Sequence, residues 1–197
     1  MSEELPRRPR APKGDGGRLR EDILAASTML LEHATVEPSV RAIAQEVGVS
    51  PAAIYLHFPD KSTLLHEAAS RKVFAALDGL RSDADLAMVV NTLLAIAQNS
   101  PVAYGLAFLD SPSKGGRGPR PVYAAYNAVR AAVARTAPAV DVDLLSAAVV
   151  AATTGFTTLA LADPVGPWPS LDRLGDLLTR LVEGAFDHAM GGASPNA

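Results

Sequence analysis

The side chains of this 197-residue chain that could do chemistry are few and poorly placed for covalent work. Its four histidines, His33, His57, His66 and His188, are scattered and share no metal-ligand spacing. There is no cysteine, which excludes disulfides, thiolate zinc sites and cysteine nucleophiles. No serine occupies a Gly-x-Ser-x-Gly elbow, and no glycine-rich loop stands ready for a nucleotide phosphate. We therefore expect no enzyme, no cofactor and no metal. What remains is non-covalent: a phenol, an imidazole and an ammonium at Tyr55, His57 and Lys61. All three can donate hydrogen bonds to phosphate oxygens.

The elements that must position them can be read from caps and breaks. From Leu19 to His33 apolar residues recur at helical spacing, with Glu21 and Asp22 expected in the first turn, where the helix dipole favours acids. Pro38 breaks the chain, and Ser39 is placed to cap a helix over Val40–Val47 that ends at Gly48. Ser50 caps a second short helix, with Pro51 at its first position and its end near His57-Phe58. Asp60 caps a longer helix running from Lys61 to about Leu80. Two short helices joined only by Gly48-Val49-Ser50 are the sequence signature of a helix-turn-helix. Ile43, Val47, Val49, Ile54 and Phe58 would hold the pair from inside, and Ala44 permits close approach.

The stretch from Ser39 to Leu65 resembles the signature of TetR-family regulators. The resemblance lies in Ile43-Ala44, Gly48-Val49-Ser50, Tyr55, His57-Phe58, Lys61 and Leu64-Leu65, and covers about residues 19–66. It implies an all-α fold, in which a three-helix helix-turn-helix domain precedes a larger helical ligand-binding and dimerisation domain, about nine helices in total. It also implies a homodimer on a palindromic double-stranded DNA operator, acting as a ligand-responsive repressor. The DNA-contacting set would be Ser39, Arg41, Ser50, Pro51, Ala52, Ala53, Tyr55, His57 and Lys61. The mechanics agree: Ser50, Pro51, Ala52 and Ala53 are short enough to let a helix approach base edges in the major groove. Ser39 and Lys61 each stand at a helix N-terminus, where exposed N–H groups favour a phosphate. Arg41 is open between a base or phosphate contact and a pair with Glu46. The alternative is a TetR-like ligand-binding dimer that has lost specific DNA binding.

Beyond Ser82, helical patterns cover 83–99, 101–110, 119–136, 141–162 and 170–189, interrupted by Ser111–Pro119, Ala137-Pro138 and Asp163–Pro169. The last two helices are expected to dimerise. Leu144, Leu145, Ala148, Val149, Ala152, Phe156 and Leu159 form one apolar face, and Leu171, Leu174, Leu177, Leu178, Leu181, Val182 and Phe186 another. Small Thr153, Thr154 and Gly155 would admit a partner helix or a ligand. Candidate lining residues for an apolar or neutral small-molecule effector are Met88, Leu93, Tyr104, Phe108, Tyr123, Tyr126, Asn127, Phe156 and Trp168.

Composition supports helices: 48% of residues are hydrophobic, only 5% are aromatic, and alanine is abundant. Net charge is −3, but Arg7 to Arg20 hold six cations against one acid, Asp15. Residues 1–18 are accordingly expected to be a flexible basic arm fit for phosphate or minor-groove contact. Residues 19–66 would be the DNA-binding domain, 67–190 the ligand and dimer domain, and 191–197 a frayed tail. Leu144 to Ala162 carry no charge, long enough to raise a membrane span. Six Ser, Thr and Gly residues within it and flanking acids argue instead for a helix buried on several sides, and no membrane is expected. The lack of cysteine fits a reducing cytoplasm.

Overall fold

The computed structural model describes residues 16–110, 120–137 and 141–191, and these form nine helices with no strand among them. In chain order they are α1 (Gly16–Leu30), α2 (Val40–Val47), α3 (Pro51–Tyr55), α4 (Lys61–Asp78), α5 (Leu86–Asn99), α6 (Pro101–Phe108), α7 (Pro121–Thr136), α8 (Val142–Ala162) and α9 (Leu171–Gly191). Most of the basic arm, the segment 111–119, Pro138 and the tail beyond Gly191 lie outside the described residues.

Local chemistry sets the starts. Ser39 Oγ accepts from Ala42 N–H at 3.1 Å, Ser50 Oγ from Ala53 N–H at 3.3 Å, and Asp60 Oδ1 from Thr63 N–H at 2.7 Å. Asp85 and Asp141 do the same for α5 and α8. Each removes one orphan N–H from a first turn. Prolines open α3, α6 and α7, where the missing N–H is not needed.

Several boundaries differ from the periodicity. α1 begins at Gly16, so the last three arm residues are helical, and it ends at Leu30 in turns that carry His33 at φ 56°. Glu21 and Asp22 therefore lie beyond the first turn, and Glu21 accepts instead from Arg71 of α4. α3 stops at Tyr55, two residues before His57-Phe58: His57 and Phe58 both donate their N–H to Ile54 O, and Pro59 disfavours helical backbone at Phe58. α4 ends at Asp78, short of Leu80, and α5, α6 and α7 are each two or three residues shorter than expected.

Two apolar clusters hold the molecule. The first joins α1 to α4 and α6 through Ile23, Leu31, Ile43, Ile54, Phe58, Leu64, Leu65 and Tyr104. The second joins α5, α7, α8 and α9 through Val90, Leu93, Val129, Val133, Val149, Leu174 and Val182. Phe108 packs against both. α9 approaches α5 over Gly175, where a Cβ would run into the Asn91 side chain.

α8 departs from expectation in a way that matters. It is not buried on several sides: only 22% of its 18-residue apolar window is buried. Ser146, Val149, Val150, Thr153 and Thr157 face inward, while Leu144, Ala148, Ala152 and Leu159 are exposed. α9 divides likewise: Leu174, Leu178 and Val182 are buried, and Leu177 and Leu181 are exposed. The Phe186 side chain lies outside the described residues. By length and composition alone α8 could also cross a membrane.

Candidate nucleic-acid interface

The α2–turn–α3 unit is fixed from within. Gly48 occupies the left-handed region at φ 75° and ψ 34°, and its N–H bonds back into α2. Val49 N–H then donates to Ala44 O at 2.9 Å, closing the turn. Ile43, Ala44, Ile54 and Phe58 are each at most 2% exposed, so the angle between α2 and α3 is set by a packed core. Arg20 of α1 lies over the Phe58 ring, 4.6 Å from its centroid, and donates to Glu67 of α4 at 2.7 Å.

On the outer surface, Ser39, Arg41, Ser50, Pro51, Ala52 and Tyr55 are exposed, whereas Ala53, His57 and Lys61 are half-buried. Tyr55 keeps 52% of its surface, so it does not serve as a core cover. No ion pair joins Arg41 to Glu46, which leaves the Arg41 guanidinium outward-facing. Lys61 is different: its Nζ sits 2.7 Å from Glu37 Oε2, a carboxylate just before Pro38. The helix-turn-helix thus presents small groups at the start of α3, a phenol at its end, and a lysine held by an acid.

Cations further along α4 are matched as well. Arg71 pairs with Glu21 at 2.8 Å and Lys72 with Glu32 at 3.0 Å, while Lys72 lowers the Glu32 carboxyl below its usual range by hydrogen bonding and by charge. With Arg20–Glu67, these pairs tie α4 to α1 and the turn after it. On its other side α4 packs on α6, where His66 Nδ1–H donates to Leu106 O at 2.8 Å. His66 is half-buried there. Its partner is 40 residues away, so no local signal exposes the bond.

Of the candidate effector residues, Leu93 belongs to the second cluster and Phe108, Tyr126 and Phe156 pack against it. Tyr104 and Phe108 stack at 4.6 Å between centroids, and Phe156 meets Trp168 edge-on at 6.4 Å. Leu93 and Tyr104 are fully buried, Phe108, Tyr126 and Phe156 half-buried, and Met88, Tyr123, Asn127 and Trp168 exposed. Burial raises the Tyr104 phenol above its ordinary value, partly offset by the Thr154 and Thr157 hydroxyls. Thr157 Oγ1 falls short of a full hydrogen bond and stays unpaired. Tyr126 and Arg130 both donate to Asp143 at the exposed start of α8.

Comparison with known proteins follows this division. Residues 23–68 match the family of bacterial regulatory proteins, tetR family. Over 92 residues the chain is 34% identical to the nucleoid occlusion factor SlmA of Vibrio vulnificus, covering 42% of this chain and 47% of that one. The chain therefore spans about half the length of the curated relatives it matches. RolR in complex with resorcinol superposes with a TM-score of 0.57 at 15% identity, over 92% of this chain and 96% of the other. A transcriptional regulator from Rhodococcus sp. Rha1 gives 0.56 at 19% identity, over 90% and 99%. At such identities the likeness is one of fold.

Proposed function

We propose that this chain, whose helical head belongs to the tetR family of bacterial regulatory proteins, is a cytoplasmic ligand-responsive repressor that binds a palindromic operator as a homodimer. The observation that carries this is the α2–turn–α3 unit, rigidly cored, with Pro51 and Ala52 leaving the start of α3 open to a major groove and Tyr55 exposed beside it. Ser39, Arg41, Tyr55, His57 and Lys61 are then the phosphate-facing groups, and Ser50, Pro51, Ala52 and Ala53 the groove-facing ones.

Two copies supply what one head lacks. The exposed stripe Leu144, Ala148, Ala152 and Leu159 on α8, with Leu177 and Leu181 on α9, is the surface a second copy would cover. Reading two half-sites would require an isologous contact there to hold the two heads about one DNA turn apart, roughly 34–36 Å. The effector would bind among α5 to α8, near Tyr104, Phe108 and Phe156; the resorcinol complex of RolR, alike in fold, supports a small aromatic or neutral molecule. α4 would be the transmitting element, since two ion pairs tie it to α1, a third ties it to the turn after α1, and it leans on α6 through His66. Ligand releases DNA only if it binds more tightly to the spacing that no longer fits adjacent grooves.

The test is a titration of purified protein against its own upstream DNA, with Tyr55→Ala and Arg41→Ala as comparison proteins. Saturable binding that survives competitor DNA and weakens in both variants supports the proposal. Equal affinity for upstream and unrelated DNA would move the chain to the ligand-binding dimer without specific DNA recognition.

A further inference from the structure

The part of the head that would enter a groove carries no charge and no amide. From Ser50 to Phe58 the sequence is Ser-Pro-Ala-Ala-Ile-Tyr-Leu-His-Phe, without Arg, Lys, Asn, Gln, Asp or Glu. Those are the residues whose side chains distinguish guanine, adenine and cytosine through their major-groove edges. The base-edge feature left for an apolar surface is the C5-methyl group of thymine.

Beside the short side chains of Pro51 and Ala52, one long aliphatic side chain is exposed for it. Leu56 is 84% exposed, while Ile54 and Phe58, two residues to either side, are each 1% exposed. The two anchors fix the backbone of the turn after α3, so Leu56 is held outward from a rigid mount rather than on a loose loop. An exposed leucine alone means little, because single apolar residues are common on protein surfaces. This one stands between Tyr55 and His57, and its helical backbone, φ −72° and ψ −21°, puts it on the side of α3 that carries exposed Ala52 four residues earlier.

Resting on the DNA-binding function proposed above, we infer that Leu56 is a specificity-determining residue that packs on a thymine methyl in each operator half-site. The operator is then marked by thymine at one symmetric pair of positions. It is not marked there by a guanine read through arginine.

The experiment selects duplexes from a random-sequence pool with the full chain, then replaces each thymine of the selected site with deoxyuracil, one symmetric pair at a time. This removes only the methyl group and leaves base pairing intact. For wild type, one pair of replacements weakens binding about fourfold per half-site, the worth of one buried methyl, and about fifteenfold for both. In Leu56→Ala the same replacements have no effect. Because Leu56 touches little of the core, its melting temperature serves only as a check that the variant is folded. Equal sensitivity to deoxyuracil in both proteins, or none in wild type, overturns the assignment. So does a Leu56→Ala variant that changes self-association and leaves thymine discrimination intact, which gives Leu56 to a protein contact. A pool that yields no preferred duplex for wild type removes DNA recognition itself, an outcome separate from loss of the methyl contact.

Discussion

On the proposed DNA-binding function, Glu37 competes with phosphate for Lys61, and Glu37→Gln should strengthen binding. Lys61 Nζ lies 2.7 Å from Glu37 Oε2, and both side chains are partly exposed, 37% and 47%. Before the ammonium can reach a phosphate, this pair must open. Ion pairs of such exposure contribute about 0.2–1 kcal/mol, because water screens the charges and two long side chains must be ordered. Taking about 0.5 kcal/mol per subunit, a dimer spends about 1 kcal/mol opening both pairs, a factor of about five in affinity. The assay is fluorescence anisotropy of a labelled operator across a range of KCl concentrations. Glu37→Gln should bind about fivefold more tightly, with little change in salt slope, since the same cations end on phosphates. Lys61→Ala should weaken binding and lower the slope by about two, roughly 0.9 for each of two phosphates. Adding Glu37→Gln to Lys61→Ala should bring no gain. An equal gain with and without Lys61 would refute the reasoning, because Glu37 would then act only as a distant repulsive charge.

Gly48→Ala should lower stability by about 1–2 kcal/mol, since a Cβ is disfavoured at φ 75°, and Gly48→Asn should cost less; chemical denaturation measures both. Leu177→Glu with Leu181→Glu should convert the proposed dimer to monomer by sedimentation velocity while leaving helix content by circular dichroism intact, as both side chains are exposed in one chain. The hydrogen bond from Arg130, followed by its charge, holds the Asp143 carboxyl below its ordinary range. A lowered carboxylate adds stability that is present above the unfolded value and is lost as pH falls through the folded one. Arg130→Met should therefore return the Asp143 titration upward toward the usual carboxylate range, as followed by carbon-detected NMR.

What the sequence made legible was what short-range chemistry controls. Ser39, Ser50 and Asp60 each bond an N–H three residues on, so capping chemistry alone locates the starts of α2, α3 and α4. Gly48 marked the turn because few residues but glycine sit easily at its dihedrals. Ile43, Ile54 and Phe58 were recognisable as core from spacing and type. What remained hidden depends on distant parts of the chain. Glu37 meets Lys61 across 24 residues, Arg20 meets Glu67 across 47, and His66 meets Leu106 across 40. The inward side of α8 was hidden for another reason: the helix is apolar around most of its circumference, so periodicity does not tell core from a surface awaiting a second copy. Residue type alone does not separate exposed Met88 and Tyr123 from buried Leu93 and Tyr104.

A hydroxyl-radical footprint of the full chain on its upstream DNA tests most directly whether the helix-turn-helix heads of a dimer read an operator. Two protected windows should appear about one helical turn, roughly 10 base pairs, apart on one face of the duplex, related by the palindrome and both lost in Tyr55→Ala. Uniform protection along the fragment, or no protection at a concentration that saturates dimer formation, would contradict it.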